Sequence, residues 1–470
     1  MSSDRLNLKN KIWDICGFLR SDGMHIGTYV EQLTILLFLK MMDEREGRFA
    51  GEKIKIPKKC RWSTLKKKDG EELLKHYNRV VLPTLSEQKG IIGEIFARVT
   101  SHFRTPVNLK EAIEEIDEVE WSKMDADVKG TAYESLLQRY AEEAKGAGQY
   151  FTPRPVEKAV VKVIDPDPDD KIHDPAVGTG GFLIHAYEHI LKKTHEGADL
   201  TRKQRKNLMT ENLSGRELVP ETRRLGLMNL ALHELQPKHF EIGDSLAPGP
   251  HTEERYDIVL TNPPYGGNQK KALARQDLPV RTKSPELNFL QHNMNILKIG
   301  GECGMVVPDG VLFQSGAAKR IRKMLFQDFN LHTILILPIG AFHPYTNVTT
   351  NVIFFKKGEP TEEVWFYDLR TGIENIKKTN PLTSGLFQDF VDNYQTRQKS
   401  ERYFKVSIKE IEDNYYSLDY KKYREFEGEA EEYPEPEELL TELLSLQDTI
   451  AENVESILEE IRSEEGSEDE

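Results

Sequence analysis

The chain has 470 residues, too many for one simple core, so two or three domains are expected. Hydrophobic residues make up 38% and charged residues 30%, the balance of an ordinary globular protein. The three cysteines Cys16, Cys60 and Cys303 are too scattered for a disulfide framework or a zinc site.

The net charge of −14 is unevenly spread: residues 425–470 hold 19 acids against one base, Arg462, leaving +4 on everything before them. An acidic tail therefore hides a mildly basic body that can meet phosphate locally. The first residues, Met1 to Leu6, lack the basic-then-apolar pattern of a secretion signal. The most apolar run, Thr34 to Leu39, stops at Lys40, far short of a membrane span. Both point to a cytoplasmic protein.

Residues 1–135 read as a helical domain. Ile12, Ile15, Cys16 and Leu19 fall at helical spacing, as do Leu33, Leu36 and Leu37. A lysine-rich stretch from Lys53 to Lys68, with Lys58, Lys59, Arg61, Lys66 and Lys67 within it, is either a solvated loop or a contact for DNA phosphates.

From about residue 150 short apolar runs alternate with helical stretches, the signature of an α/β fold with a doubly wound, mostly parallel sheet. Predicted strands are 171–173, 213–216, 256–260, 302–307, 333–337 and 352–356. Loops after the first three carry polar or glycine chemistry, which is where open α/β sheets place ligands. Beyond a Glu/Pro-rich linker, residues 436–462 read as a helix. Its apolar seam, Leu439, Leu443, Leu446, Ile450, Val454, Ile457 and Ile461, recurs at about 3.67 residues per turn. Such a seam packs on the chain's own body or on a partner.

The first chemical motif runs from Asp174 to Phe182 and includes Gly178, Thr179, Gly180 and Gly181. Glycines there allow a tight turn and close backbone approach to a ligand. No lysine follows, so this is not a P-loop, and Asp174 favours a cofactor bearing cationic groups. Glu217 ends the next predicted strand, where an acid accepts hydrogen bonds from ribose hydroxyls. It lies 39 residues after Gly178, against roughly 20 in the dinucleotide fingerprint, and the polar segment around 192–206 takes up the excess.

The decisive motif is Asn262-Pro263-Pro264-Tyr265, directly after the apolar run 256–260. Two prolines force a rigid, non-helical turn. An amino nitrogen conjugated with a ring is a poor nucleophile, because its lone pair is delocalised. The Asn262 amide oxygen and the Pro263 carbonyl can accept its two N–H bonds and free that pair. Tyr265 offers a face for a base swung out of a duplex. No metal is called for.

The glycine loop and Asn262–Tyr265 together resemble the S-adenosylmethionine-dependent amino-methyltransferases. Upstream, residues 148–155 resemble that family's N-terminal cofactor motif. With the helical N-terminus and the segment from Gly340 to Asn347, residues 5–425 resemble the modification subunit of type I restriction–modification systems, which methylates adenine N6 in DNA.

The resemblance implies a helical domain over 1–135, a methyltransferase domain over 136–425, and an acidic linker and helix over 426–470. It implies cofactor contacts from Gln149, Tyr150, Phe151, Thr152, Pro153, Arg154, Gly178, Thr179, Gly180 and Glu217. Asp174 would border the methionine end and Asp244 the adenine of the cofactor. Phe342 or Tyr345 would close the target pocket opposite Tyr265. Implied partners are double-stranded DNA with a flipped adenine, a specificity subunit flanked by two copies of this chain, and in some assemblies a restriction subunit. Three alternatives change the substrate to cytosine N4, an RNA base or a protein glutamine, and another is a non-catalytic cofactor-binding scaffold.

Overall fold

A computed structural model describes residues 26–119 apart from 45–47, 50–51 and 54–55; residues 133 and 137; residues 151–424 apart from 267–274, 276, 344–345, 347, 374–375 and 378–379; and residues 440–441, 443–447, 450 and 454. The chain divides into two compact units, 1–420 and 421–470. The expected helical repeat at Ile12, Ile15, Cys16 and Leu19 lies outside the described residues, as do Gln149, Tyr150, Tyr345, Leu439, Ile457 and Ile461.

One nine-stranded sheet organises the first unit. Its strands are β1 (Ile172–Asp174), β2 (Leu213–Glu217), β3 (His239–Ile242), β4 (Tyr256–Thr261), β5 (Leu297–Pro308), β6 (Phe329–Ile336), β7 (Thr350–Lys357), β8 (Glu363–Asp368) and β9 (Tyr403–Ser407). Their order across the sheet is β3-β2-β1-β4-β5-β7-β6-β8-β9. From β3 through β5 all neighbours are parallel, whereas β7 inserts antiparallel between β5 and β6. Strand order reverses between β1 and β4, so a crevice forms beyond their carboxyl ends, where Asp174 and Thr261 stand.

All six predicted strands are present in this sheet, which contains three further ones, and among the described residues Arg48–Phe49 pairs separately with Glu52–Lys53. In β3 only Phe240 is buried, because the strand closes one edge of the sheet and lacks a two-sided apolar run. The sheet also continues past Lys357 into β8 and β9, beyond the expected end near 356. Aromatic pairing holds these two together: Phe366 and Phe404 stack with ring centroids 5.1 Å apart.

The helices that position the crevice are α1 (Ile26–Glu44), α2 (Ile91–Phe96), α3 (Pro106–Asp117), α4 (Arg154–Ile164), α5 (Gly181–Lys193) and α6 (Pro220–Leu232). α1 is buried on nearly all sides, so it forms the centre of the helical block rather than its surface. The lysine-rich stretch is partly structured, with a short helix at Trp62–Lys66. Lys66 pairs with Asp117 and Lys68 with Glu72, while Lys58, Lys59, Arg61 and Lys67 are exposed. Lys40 Nζ reaches the same Asp117 carboxylate at 2.7 Å and Trp62 Nε1 reaches it at 2.8 Å.

α6 joins this block to the sheet. Arg223 donates from Nε to the Phe240 carbonyl at 2.8 Å and pairs with Glu94 of α2. Arg224 pairs with Glu31 of α1 and donates to the Ala97 carbonyl at 3.1 Å. The buried Tyr133 hydroxyl donates to the Leu225 carbonyl at 2.9 Å.

In the second unit, described residues between 440 and 454 are helical, and Leu443, Leu446, Ile450 and Val454 of the predicted seam are exposed. Among the described residues no helix is long and apolar enough to cross a membrane.

Arg224→Ala removes the donor to Ala97 and strands the part-buried Glu31 carboxylate. It should lower unfolding stability by about 1.5–3 kcal/mol, the range for hydrogen bonds to charged groups. Urea unfolding checks this, and a loss under about 0.5 kcal/mol would mean that the junction does not depend on the pair.

Candidate active site

β1 delivers Asp174 to the crevice, 2% exposed, and residues 175–180 then turn into α5. Gly178 and Gly180 hold φ of 53° and 83°, the left-handed region that costs glycine nothing. The turn is held from α6 by the Asn229 side-chain amide, which donates to the Thr179 carbonyl at 3.0 Å. Glu217, at the end of β2, accepts the Gly178 N–H at 3.0 Å and the Val219 N–H at 2.9 Å. The long sequence separation between Gly178 and Glu217 thus closes to one hydrogen bond. α5 and the helix at Arg202–Thr210 occupy the intervening chain.

Asp244 follows β3 and is half-buried, its Oδ1 accepting the Leu246 N–H at 2.8 Å. The Ser245 hydroxyl donates to the Pro175 carbonyl at 2.6 Å and so ties this loop to the glycine turn. Leu218 and Ile242, beside Glu217 and Asp244, are 62% and 52% exposed. Large apolar side chains left open beside a ring of acids suit the flat face of a ligand. Neither is among the residues the motifs predict, because neither carries a polar or glycine signature.

The other wall comes from β4. Thr261 is fully buried, and its hydroxyl donates to Asp174 Oδ1 at 2.7 Å. Next, Asn262 is 8% exposed and its Nδ2 donates to the Thr152 hydroxyl at 3.1 Å. Its Oδ1 is shielded from solvent and accepts no hydrogen bond among the described residues. An unpaired buried acceptor costs about 1–3 kcal/mol, so it points to a functional demand. Pro263 and Tyr265 are buried, Pro264 and Gly266 exposed, and Phe151 to Arg154 half-buried.

Hydrogen bonds therefore link Thr152 to Asn262, Thr261 to Asp174, and Gly178 to Glu217 around one crevice. Phe342 is 1% exposed and packs within the hydrophobic core, and Tyr265 is 6% exposed.

The electrostatics are one-sided. Burial pushes the Asp174 carboxyl up to about 7, with Glu217 adding repulsion against the hydrogen bonds from Thr261 and Ala176. Glu217 is itself raised by burial. Burying like charges together favours a positively charged occupant. A sulfonium cofactor fits this donor set, and a polyphosphate does not.

Residues 124–432 match the family described as N-6 DNA Methylase, and residues 8–116 match the HsdM N-terminal domain. The StySPI type I restriction enzyme methylase subunit of Salmonella potsdam is 36% identical over 407 residues, covering 83% of this chain and 76% of that protein. The EcoKI methylase subunit of Escherichia coli K12 is 35% identical over 405 residues, covering 82% and 75%. A solved chain from a type I restriction–modification system, 31% identical, superimposes with a TM-score of 0.73 over 98% of this chain and 99% of that one.

Thr261→Val keeps shape but leaves the buried Asp174 carboxyl short of a donor. Stability should fall by about 1–3 kcal/mol, with Thr261→Ser near wild type. Urea titration of the two variants checks this, and equal behaviour of Val and Ser would sink the assigned role of the hydroxyl.

Proposed function

Because this chain belongs to the N-6 DNA methylase family, among the methylase subunits of type I restriction enzymes, we propose that residues around the β1–β4 crevice carry adenine N6 methylation as follows. The unpaired Asn262 Oδ1 supports the reading most directly. That oxygen and the Pro263 carbonyl accept the two N–H groups of a flipped adenine and draw its lone pair out of the ring. Tyr265 stacks on the base, and Pro264 with Pro263 keeps the turn rigid. Phe342 or Tyr345 is assigned to close the target pocket on the family resemblance.

S-adenosylmethionine, the cofactor of this family, supplies a methyl group activated by a sulfonium. Glu217 accepts from its ribose, Asp244 lies by its adenine, and Asp174 borders its methionine end. Phe151, Thr152, Pro153 and Arg154 close over it, with Gly178, Thr179 and Gly180 beneath, and Gln149 and Tyr150 are assigned to the cofactor on the family resemblance. Thr152 has a second duty, orienting the Asn262 amide so that oxygen rather than nitrogen faces the target.

We read 1–135 as a helical domain, 136–425 as the methyltransferase domain and 426–470 as an acidic linker and helix. The chain acts on duplex DNA in an assembly with a specificity subunit, two copies of this chain flanking it, and a restriction subunit in some assemblies. The relatives' description as subunits of type I restriction enzymes supports that reading. The open seam at Leu443, Leu446, Ile450 and Val454 is the docking face offered to the specificity subunit. Cytosine N4, RNA and protein glutamine substrates, and a scaffold role, find no support among the matched relatives.

Asn262→Ala should cut methyl transfer to adenine-containing duplexes, assayed with the specificity subunit present, by about 100-fold or more. Binding of S-adenosylmethionine should survive in calorimetry, since the amide acts on the base. Retained transfer would end the assignment.

Cofactor affinity should also depend on pH. A protonated Asp174 must ionise to face a cation, so affinity should rise by at least about tenfold between pH 6 and pH 8, with proton uptake by buffer near pH 7. Calorimetry in buffers of different ionisation enthalpy reads both, and a flat profile would remove Asp174 from the cationic end.

A further inference from the structure

Glu157 lies two residues beyond the predicted cofactor segment 148–155. It sits in the first turn of α4, and its side chain crosses to the start of α5. A Cβ built on Gly181 would lie 2.1 Å from Glu157 Oε1 and 2.7 Å from Oε2, so any larger residue at 181 would push the end of this side chain out of its present position. Glu157 is 6% exposed.

Its surroundings neutralise it poorly. His185, one turn along α5, brings Nδ1 to 3.4 Å from Oε2. That nitrogen is already 2.8 Å from the Gly181 carbonyl, to which it donates, and burial holds the imidazole neutral, down to about 3. Burial likewise pushes Glu157 up to about 8; Arg154 opposes the shift and Asp174 adds to it. Two buried acids that repel each other therefore bracket the glycine turn, Asp174 at its start and Glu157 at its end.

A ligand with one positive centre would answer one of them. S-adenosylmethionine has two, the sulfonium and the ammonium of its amino-acid end. We propose that Glu157 is a cofactor-binding residue whose carboxylate accepts hydrogen bonds from that ammonium, with Gly181 kept small to let it reach. Such contacts between two ionised groups in a dry site are stronger than neutral ones. The assignment rests on the glycine turn being the S-adenosylmethionine site.

Calorimetric titration of the full chain with three ligands tests it. These are S-adenosylhomocysteine, its analogue lacking the amino group, and 5′-methylthioadenosine, which lacks the amino-acid end. Wild type should prefer S-adenosylhomocysteine over the deaminated analogue by about tenfold or more, the value of one charge-assisted hydrogen bond. Glu157→Gln should erase most of that preference and leave 5′-methylthioadenosine binding unchanged. Glu157→Asp, which keeps the charge on a shorter stem, should fall between.

A wild-type preference retained in the variants overturns the proposal, as does an equal loss for all three ligands, which would mark a packing role. Should neither variant fold by circular dichroism, equal wild-type affinity for S-adenosylhomocysteine and the deaminated analogue overturns it still. If wild type binds none of the three, the underlying site assignment fails instead.

Discussion

A single buried hydrogen bond, from the Thr261 hydroxyl to Asp174 Oδ1 at 2.7 Å, joins the two halves of this site. β1 and β4 are neighbours from which the chain leaves in opposite directions across the sheet, so their carboxyl ends share a crevice but no covalent path shorter than 87 residues. The glycine turn hangs from Asp174 and the Asn262 turn from Thr261. With the backbone pairing of β1 and β4 beneath it, this bond fixes the glycine turn relative to the Asn262 turn, and so, on the proposed function, a methyl donor relative to an amino acceptor. Positioning of that kind supplies a large share of a catalysed barrier reduction, and small displacements forfeit it.

The bond also holds an acid where solvation is poor. Asp174, Glu157 and Glu217 are all raised by burial, so the folded chain without a cation resists ionising them. For such groups the unfolded chain loses its protons first. Their contribution to stability is therefore present below pH about 4 and is lost as pH rises through the folded values near 7 and 8. Around neutrality these acids therefore cost the folded chain stability, and on the proposed function a positively charged cofactor would recover that free energy.

Support for the turn comes from behind. α6 contributes Asn229 to the Thr179 carbonyl on one side and Arg223 and Arg224 to the helical block on the other. The block is thus mechanically continuous with the glycine turn, although no residue of α1 or α2 is among those assigned to the crevice. Two of the lysines considered for DNA contact, Lys66 and Lys68, form ion pairs with Asp117 and Glu72, which makes their charge partly a matter of local folding.

The linear sequence determined the architecture and the chemistry of the motifs. Strands β1, β2, β4, β5, β6 and β7 are apolar runs with their own local signature, and Asn262-Pro263-Pro264-Tyr265 declares its turn through proline's fixed φ. Tertiary structure alone decided what depends on distant contacts. β3 is held by an edge pairing rather than by its own pattern, and the depth at which Phe342 is buried is set by packing around the sheet. Leu218 and Ile242 became visible only as exposed apolar side chains. Glu157 is one more acid in a helical stretch until α4 lies across α5 and brings it onto Gly181. Local signals report on backbone preference, whereas burial and the free energy of a charge are set by neighbours far away in the chain.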